Sequence, residues 1–239
     1  DSTSAQNENG LALWLRADVG VNVVTGSGSR TGNPEVELWT DQSGEGHDLD
    51  EANDNKKRQP IYDADAVNGR PALKFNTTNQ DNTDALKNTQ PSVKNIPTGS
   101  NTFFVVSAAR EPSGDNFWHV AHFNQNENLG YNTTGDITAD QNGPTLTASA
   151  PTTEYAVLSS VFDNEDAEED LSVNGAVQTS ATGVGPTSKA FLEIAKNGTS
   201  VKTNVAEVVA FKSALNTAQR RLVANYLAEK YDRSTARDY

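Results

Sequence analysis

The sequence of 239 residues contains no cysteine and no methionine. The absence of cysteine excludes a disulfide framework, a thiolate metal site and a cysteine nucleophile. Histidine is scarce, with three copies, and none of them has an evident serine partner for nucleophilic catalysis. No apolar run is long enough to cross a bilayer. The chain has no initiator methionine, and we therefore expect an excised module or a mature secreted product.

Positive charge is also scarce, because 19 basic residues face 32 acidic ones. The formal net charge is −13 and the pI is near 4.6. Such a field repels nucleic acid and anionic membrane surfaces, so we expect neither as a partner. Cations are the natural partners. The alternative is a charged surface that only keeps the protein soluble.

Residues 203–231 are the segment around which the chain is organised, reading TNVAEVVAFKSALNTAQRRLVANYLAEKY. Its first part predicts a central strand that is buried on both faces except at Glu207. Asn216 and Gln219 then form the capping-box signature of a helix start. We expect one helix stripe to be apolar, made of Ala218, Leu222, Val223, Tyr226, Leu227 and Tyr231.

Short strand-like runs separated by turn signals occupy the rest of the chain. They read LALWLRA, EVELWT, ALKF, TFFVVSAA, FWHVAHF and YAVLSSVFD. Asn68-Gly69 and Asn174-Gly175 are strong hairpin signals, whereas residues 20–34 read as a connection. Many short strands with one late helix favour an antiparallel sandwich. We expect residues 1–9 to be a linker, 10–232 the domain and 233–239 a tail.

The order of these segments carries a family resemblance. LALWLRADVGV, LWTDQSGEGHDL, VNGRPALKFN, TFFVVSA, YAVLSSVFD, LSVNGAV and the closing strand and helix together resemble laminin-G-like, concanavalin A-like jelly-roll modules of bacterial secreted and surface proteins. The likeness runs from about Leu11 to Tyr231. It implies an all-β, two-sheet antiparallel jelly-roll sandwich with one C-terminal α-helix. Members of the family include adhesins, bind glycans, peptides or proteins, frequently beside calcium, and bring no catalytic motif.

Three acidic clusters are candidate calcium sites. The bend DNEDAEED at 163–170 holds six carboxylates in eight residues, which suits a hard cation, although a solvated charge run is the alternative. Around the turn after Trp39, a turn-stabilising role for Asp41 is favoured over calcium binding. The third cluster consists of Asp81 and Asp84 with Asn76 and Asn79, in a polar segment where a calcium ion could bridge to a ligand. The predicted metal ligands are Asp81, Asp84, Asp163, Asp166 and Asp170.

Two aromatic residues near long loops are candidates for stacking on a sugar ring or a peptide end. Trp118 lies in a strand, where core packing is the more frequent outcome, so Tyr131 is the better surface candidate. His119 and His122 are three residues apart, which places them on opposite faces of a regular strand and argues against zinc. The predicted ligand-binding residues are Asn76, Asn79, Asp81, Asp84, Trp118 and Tyr131.

The functional prediction is a non-catalytic extracellular adhesion module that recognises a glycan or peptide on another cell surface through its long loops, with calcium organising them. It would be secreted or displayed on a cell surface within a larger chain. The alternative is a structural spacer or assembly domain. A carbohydrate-active enzyme would require Glu35, Glu37, Glu193 or Glu207 to face a cleft beside a second carboxylate.

Overall fold

The computed structural model describes residues 10–25, 33–51, 59–76, 84–88, 99–110, 118–123, 127–132, 134–141, 143–149, 154–186, 192–195 and 202–232. Within these residues the chain forms many strands and one helix. The strands are β1 (Leu11–Arg16), β2 (Val21–Thr25), β3 (Pro34–Trp39), β4 (Leu49–Glu51), β5 (Ile61–Val67), β6 (Arg70–Asn76), β7 (Leu86–Lys87), β8 (Asn101–Ala109), β9 (Trp118–Phe123), β10 (Glu127–Tyr131), β11 (Ile137–Gln141), β12 (Leu146–Ala148), β13 (Ala156–Asp163), β14 (Glu168–Val173), β15 (Ala176–Thr182), β16 (Leu192–Ile194) and β17 (Lys202–Phe211). The helix is α1 (Thr217–Tyr231).

The strands pair in two antiparallel runs. In the first run β17 lies between β8 on one side and β1 and β6 on the other, β5 extends β6, and β13, β14 and β15 follow β8. The second run has the order β2, β3, β4, β7, β16, β9, β10, β11, β12. Glu35 opposite Ile61 joins the two runs into one nearly barrel-like sheet. The prediction of an antiparallel, mostly β chain with a C-terminal helix is therefore confirmed.

Two apolar clusters hold this arrangement together. The larger one draws side chains from both runs and includes Leu13, Leu15, Trp39, Phe75, Val105, Leu129, Leu158, Leu192, Ile194 and Val205. The smaller one lies under α1 and includes Phe104, Val106, Val157, Ala206, Val209, Leu227 and Tyr231. The first run thus has apolar packing on both faces. The second run contributes to the larger cluster from one face, which leaves its other face for polar side chains.

The central strand and the helix start agree with the sequence. Eight consecutive residues of β17 are buried. Glu207 is one of them and is fully buried, so the prediction that burial is interrupted at this residue is wrong. Asn216 accepts a hydrogen bond from the backbone N–H of Gln219, whose side chain accepts one from Asn216 in return. This capping box satisfies backbone donors that a helix start leaves open.

The predicted apolar stripe of α1 is rotated from the observed one. Leu222 is 72% exposed and Tyr226 41% exposed, while Ala224 and Ala228 are buried. The sequence places large apolar residues on the predicted stripe, but small alanines allow closer contact with the sheet. The helix is too short and too polar to cross a membrane, and it is the one helix of the described residues.

Two segments differ from the predicted connections. Residues 21–25 form β2, which pairs with β3, instead of belonging to a long connection. Glu168, Glu169 and Asp170 lie in β14 and not in an acidic loop, because Glu168 pairs with Asp163 across the hairpin. The acidic segment is therefore two strand ends joined by a short turn.

Candidate functional site

A row of polar residues crosses the second run on the face opposite the larger apolar cluster. Each member follows or precedes a core residue by one position, as Asp50 follows Leu49 and Glu193 lies between Leu192 and Ile194. Since strand side chains alternate between faces, the row members share the outer face. We call this set the polar row: Asp50, Lys87, Glu193, Asn128 and Asp140.

The register aligns the polar row across six neighbouring strands. Asp50 is opposite Lys87, Lys87 is opposite Glu193, and Asn128 is opposite Asp140. The backbone position of residue 122 lies between Glu193 and Asn128. With about 4.8 Å between strands, the five steps span about 24 Å. The row is therefore long enough to contact an extended ligand.

Burial varies along the polar row. Glu193 is 6% exposed, whereas Asp50, Lys87, Asn128 and Asp140 are partly exposed. Asn128 Oδ1 is buried and has no hydrogen-bond partner in the part of the chain described. At the β12 end, Thr145 donates a hydrogen bond to Asp140 over 3.4 Å. The row thus combines carboxylates, an amide and one ammonium group.

The strand β9 is irregular beside the row. Gly130 pairs with residue 119, whereas Leu129 pairs with residue 121, so residue 120 is an extra residue in β9. Val120 and Ala121 are both buried. This bulge interrupts the regular alternation of β9, so the prediction that positions 119 and 122 lie on opposite faces of a regular strand does not apply here.

The structure brings Asn76 and Asp84 together at the base of a predicted ligand loop. Asp84 is fully buried, and its carboxylate accepts a hydrogen bond from the Asn76 backbone N–H over 2.7 Å. Arg110 donates hydrogen bonds to the Phe75 carbonyl at 2.9 Å and to Asn76 Oδ1. These contacts join the described residues on either side of residues 77–83. Asn79 and Asp81 lie outside the described residues.

The acidic segment 163–170 is held by protein partners. Asp170 accepts hydrogen bonds from Arg220 at 2.7 Å and from Ser180 at 2.6 Å. Asp163 accepts one from the backbone N–H of Glu165 at 3.0 Å, and Asp166 is exposed. No group of three or more potential metal ligands occurs within the described ranges.

Asp41 has the structural role that the sequence favours. Its buried carboxylate accepts hydrogen bonds from the backbone N–H groups of Trp14, Ser43 and His47, each at 2.9 Å. The Ser43 hydroxyl adds a fourth at 2.7 Å. The bond from the Ser43 N–H is the Asx turn expected after Trp39, and the bond from the Trp14 N–H joins this turn to β1.

Tyr131 is not a surface residue. Its side chain is fully buried in the larger cluster, its hydroxyl lies 3.0 Å from Ser107 Oγ, and burial raises its pKa. The prediction that it contacts a ligand is wrong because the alternation of β10 turns it towards the core. The side chain of Trp118 lies outside the described part of the structure.

The polar row has a weak signal in the sequence. In LDE, LKN, LEI and ITADQ, a polar residue lies directly beside a buried apolar residue. Each segment alone is too short to indicate a site. Their alignment depends on long-range strand pairing, which the sequence does not show.

Comparison with known proteins places the fold but gives no family. No family model and no curated protein matches the sequence. A structure of the binding domain of botulinum neurotoxin DC in complex with rat synaptotagmin II matches with a TM-score of 0.65 and 10% identity. The matched region covers 91% of this chain and 52% of the neurotoxin chain.

Two further structures extend this comparison. The botulinum neurotoxin type G receptor-binding domain has a TM-score of 0.61 and 11% identity, covering 91% of this chain and 51% of that one. Trypanosoma rangeli sialidase in complex with sialic acid has a TM-score of 0.58 and 15% identity, covering 94% and 34%. The chain therefore spans about half of the neurotoxin domains and about a third of the sialidase. At these identities the likeness concerns the fold.

Proposed function

We propose that this chain is a non-catalytic ligand-binding module that recognises a glycan along the polar row. The observation that supports the proposal is the row itself, in which polar side chains from five of six adjacent strands align on one face. The two runs then act as the layers of a jelly-roll sandwich, with the larger apolar cluster between them. We also propose that the module is secreted or displayed on a cell surface as part of a larger chain.

The chemistry of the polar row favours a glycan over a peptide. Asp50, Glu193 and Asp140 can accept hydrogen bonds from hydroxyl groups, and Asn128 can both donate and accept. A glycan chain that lies across the strands would contact these side chains one after another. Extended peptides instead commonly pair with the backbone of an edge strand, and the row lies across the middle of the run.

The structural neighbours support a binding role. Two of them are binding domains of botulinum neurotoxin DC, one in complex with rat synaptotagmin II and one in complex with SialylT. Their partners include a protein, so these neighbours do not distinguish a glycan from a peptide ligand. The choice of a glycan rests on the residues of this chain.

Calcium assistance fits the described residues poorly. A calcium ion takes six to eight oxygen ligands, but Asp170 is paired with Arg220 and Ser180, and Asp163 caps the following turn. Calcium binding by Asp163, Asp166 and Asp170 therefore stays a prediction. A calcium ion at Asp81 stays a prediction, because this residue lies outside the described ranges.

A glycan array with the intact chain tests the proposal. We expect binding to at least one oligosaccharide class, and roughly tenfold weaker binding for N128A and D140A, since each loses a hydrogen-bonding group. D65A is the matched control, because Asp65 is exposed on β5 of the other run. Array binding that is absent, or that both row variants retain in full, would contradict the proposal. Parallel incubations with and without chelator separate calcium dependence from binding itself.

One observation favours a second candidate, glycoside hydrolysis. Asp50 and Glu193 lie on the same face two strands apart, with Lys87 between them. Their backbone separation is therefore about 10 Å, close to the upper end of the carboxylate spacing in inverting glycosidases, about 6.5–9.5 Å. Hydrolysis of an aryl glycoside that is lost in E193Q, while binding persists, would support this candidate. No turnover of any aryl glycoside would reject it.

A further inference from the structure

A groove lies beside α1 on the outer face of the first run. The helix covers only part of this face, and the uncovered part forms a cavity of about 350 Å³. A second cavity of about 320 Å³ adjoins it and shares Thr217 and Arg220. Both volumes are at the lower end of the range for small-molecule sites. We call the combined feature the helix groove.

The floor of the helix groove contains an aligned pair of serines. Ser159 on β13 and Ser172 on β14 are opposite each other in the register, between Phe104 and Val177. Each serine is 4% exposed, and both line the larger cavity. A ligand that enters the larger cavity would therefore contact both serines.

Charged groups of both signs line the helix groove: Arg220 and Arg221 border the larger cavity, and Asp163, Glu168 and Asp170 border the adjoining one. Arg220 donates a hydrogen bond to Asp170 at 2.7 Å and another to Thr217 Oγ1 at 3.3 Å. The carboxylates disfavour an anion, and the guanidinium groups disfavour a cation. The groove therefore suits a neutral ligand.

The walls of the helix groove add apolar surface to these polar groups. Phe104 and Ala224 are buried beside the serines, and Val177 is 51% exposed at the rim. A purely apolar ligand would not hydrogen-bond to the two serines. A sugar ring satisfies both requirements, because its hydroxyls bond to polar groups while its C–H face packs on apolar side chains.

We infer that the helix groove is a second binding site, which takes one neutral sugar unit. Ser159 and Ser172 hydrogen-bond to its hydroxyl groups, and Phe104, Val177 and Ala224 contact its C–H face. The groove lies on the outer face of the first run, whereas the polar row lies on the outer face of the second. The two sites are independent, so either can fail without the other.

Titration of the ¹⁵N-labelled protein with single sugars, followed by NMR, tests this site. The neutral probes are glucose, galactose, mannose and N-acetylglucosamine, and glucuronic acid is the charged comparison. We expect one neutral sugar to shift the amides of Ser172, Gly175, Val177 and Arg220 saturably. The S159A/S172A double variant should bind at least roughly tenfold more weakly, because it removes two hydrogen bonds, whereas D65A should bind normally.

The wild-type shift map decides the location even if the double variant fails to fold. In that case V177W replaces the double variant in the test, because position 177 is exposed at the rim and a large side chain there blocks the groove. The inference is overturned if no neutral sugar shifts the groove amides or if glucuronic acid shifts them more strongly. It is also overturned if the shifts fall only on the polar row, or if a folded double variant binds with unchanged affinity.

Discussion

Lys230 donates a hydrogen bond to Glu207 over 2.6 Å, and the Glu207 side chain that accepts it has no exposed surface. The same carboxylate accepts hydrogen bonds from Trp14 Nε1 at 2.7 Å, Tyr231 at 2.8 Å and Tyr226 at 3.1 Å. These donors come from β1 and α1, while Glu207 belongs to β17. One buried carboxylate therefore fastens the helix to the sheet.

Loss of the Lys230 ammonium group should destabilise the fold strongly. K230M leaves the buried Glu207 carboxylate without its counter-charge, and breaking such a pair costs about 3–5 kcal/mol. Urea unfolding followed by circular dichroism measures the change in the free energy of unfolding. K212M is the control, because the pair of Lys212 with Glu45 is partly exposed and such pairs contribute about 1 kcal/mol or less. Equal effects of the two variants would contradict a special role for Lys230.

The same cluster predicts a loss of stability in acid through Asp18. Burial raises the pKa of Asp18, but hydrogen bonds from Arg16 and Lys230 outweigh it and hold the pKa at about 2, below the ordinary 3.8. A carboxyl whose folded pKa is lowered stabilises the fold above its unfolded pKa. This contribution should therefore disappear as the pH falls from about 4 to about 2.

Urea unfolding of the wild type and D18N across this pH range measures the contribution of Asp18. The gap in the free energy of unfolding between the two proteins should be largest at neutral pH and should narrow below pH of about 4. A gap that stays constant down to pH of about 2 would show that Asp18 does not titrate with the lowered pKa.

Local signals predicted the parts of the fold that depend on neighbouring residues. The capping box at Asn216 and the turn at Asn174-Gly175 are both observed, and both residues of that turn have positive φ angles. The helix stripe was misplaced because Ala224 and Ala228 pack against the sheet while Leu222 stays exposed. The size of the residues at the contact with the sheet determines which face of the helix is buried, and hydrophobicity alone does not predict that face.

The candidate sites were harder to predict than the fold. The polar row depends on the pairing of β4 with β7, β7 with β16 and β16 with β9, which are distant in sequence. Tyr131 has polar neighbours in sequence, but strand alternation places it in the core. Ser159 and Ser172 become a pair only through the register of β13 with β14. The composition shows which functional groups the chain contains, whereas strand pairing determines which of them lie close together.

Asp41 should be essential for the turn after β3. D41A leaves three backbone N–H groups and the Ser43 hydroxyl without their acceptor, and hydrogen bonds to a charged group contribute about 1.5–3 kcal/mol each. We expect a loss of about 3 kcal/mol or more in the free energy of unfolding. Thermal and urea unfolding measure it, with D166A as an exposed control that should change stability by less than about 0.5 kcal/mol. A loss in D41A no larger than that in D166A would contradict this role.

Two variants, D163N/D166N and D81N, test whether calcium binds to the acidic segment or at Asp81. Asp170 is occupied by Arg220, and Asp163 caps the backbone of Glu165. We therefore expect D163N/D166N to show the same calcium-dependent change in Tm as the wild type, measured after chelator treatment and calcium addition. A ligand stabilises the folded state in proportion to the logarithm of its concentration over Kd, so a lost site would reduce the shift. A smaller shift in this double variant would assign a calcium site to the acidic segment, whereas loss of the shift in D81N alone would assign the ion to Asp81.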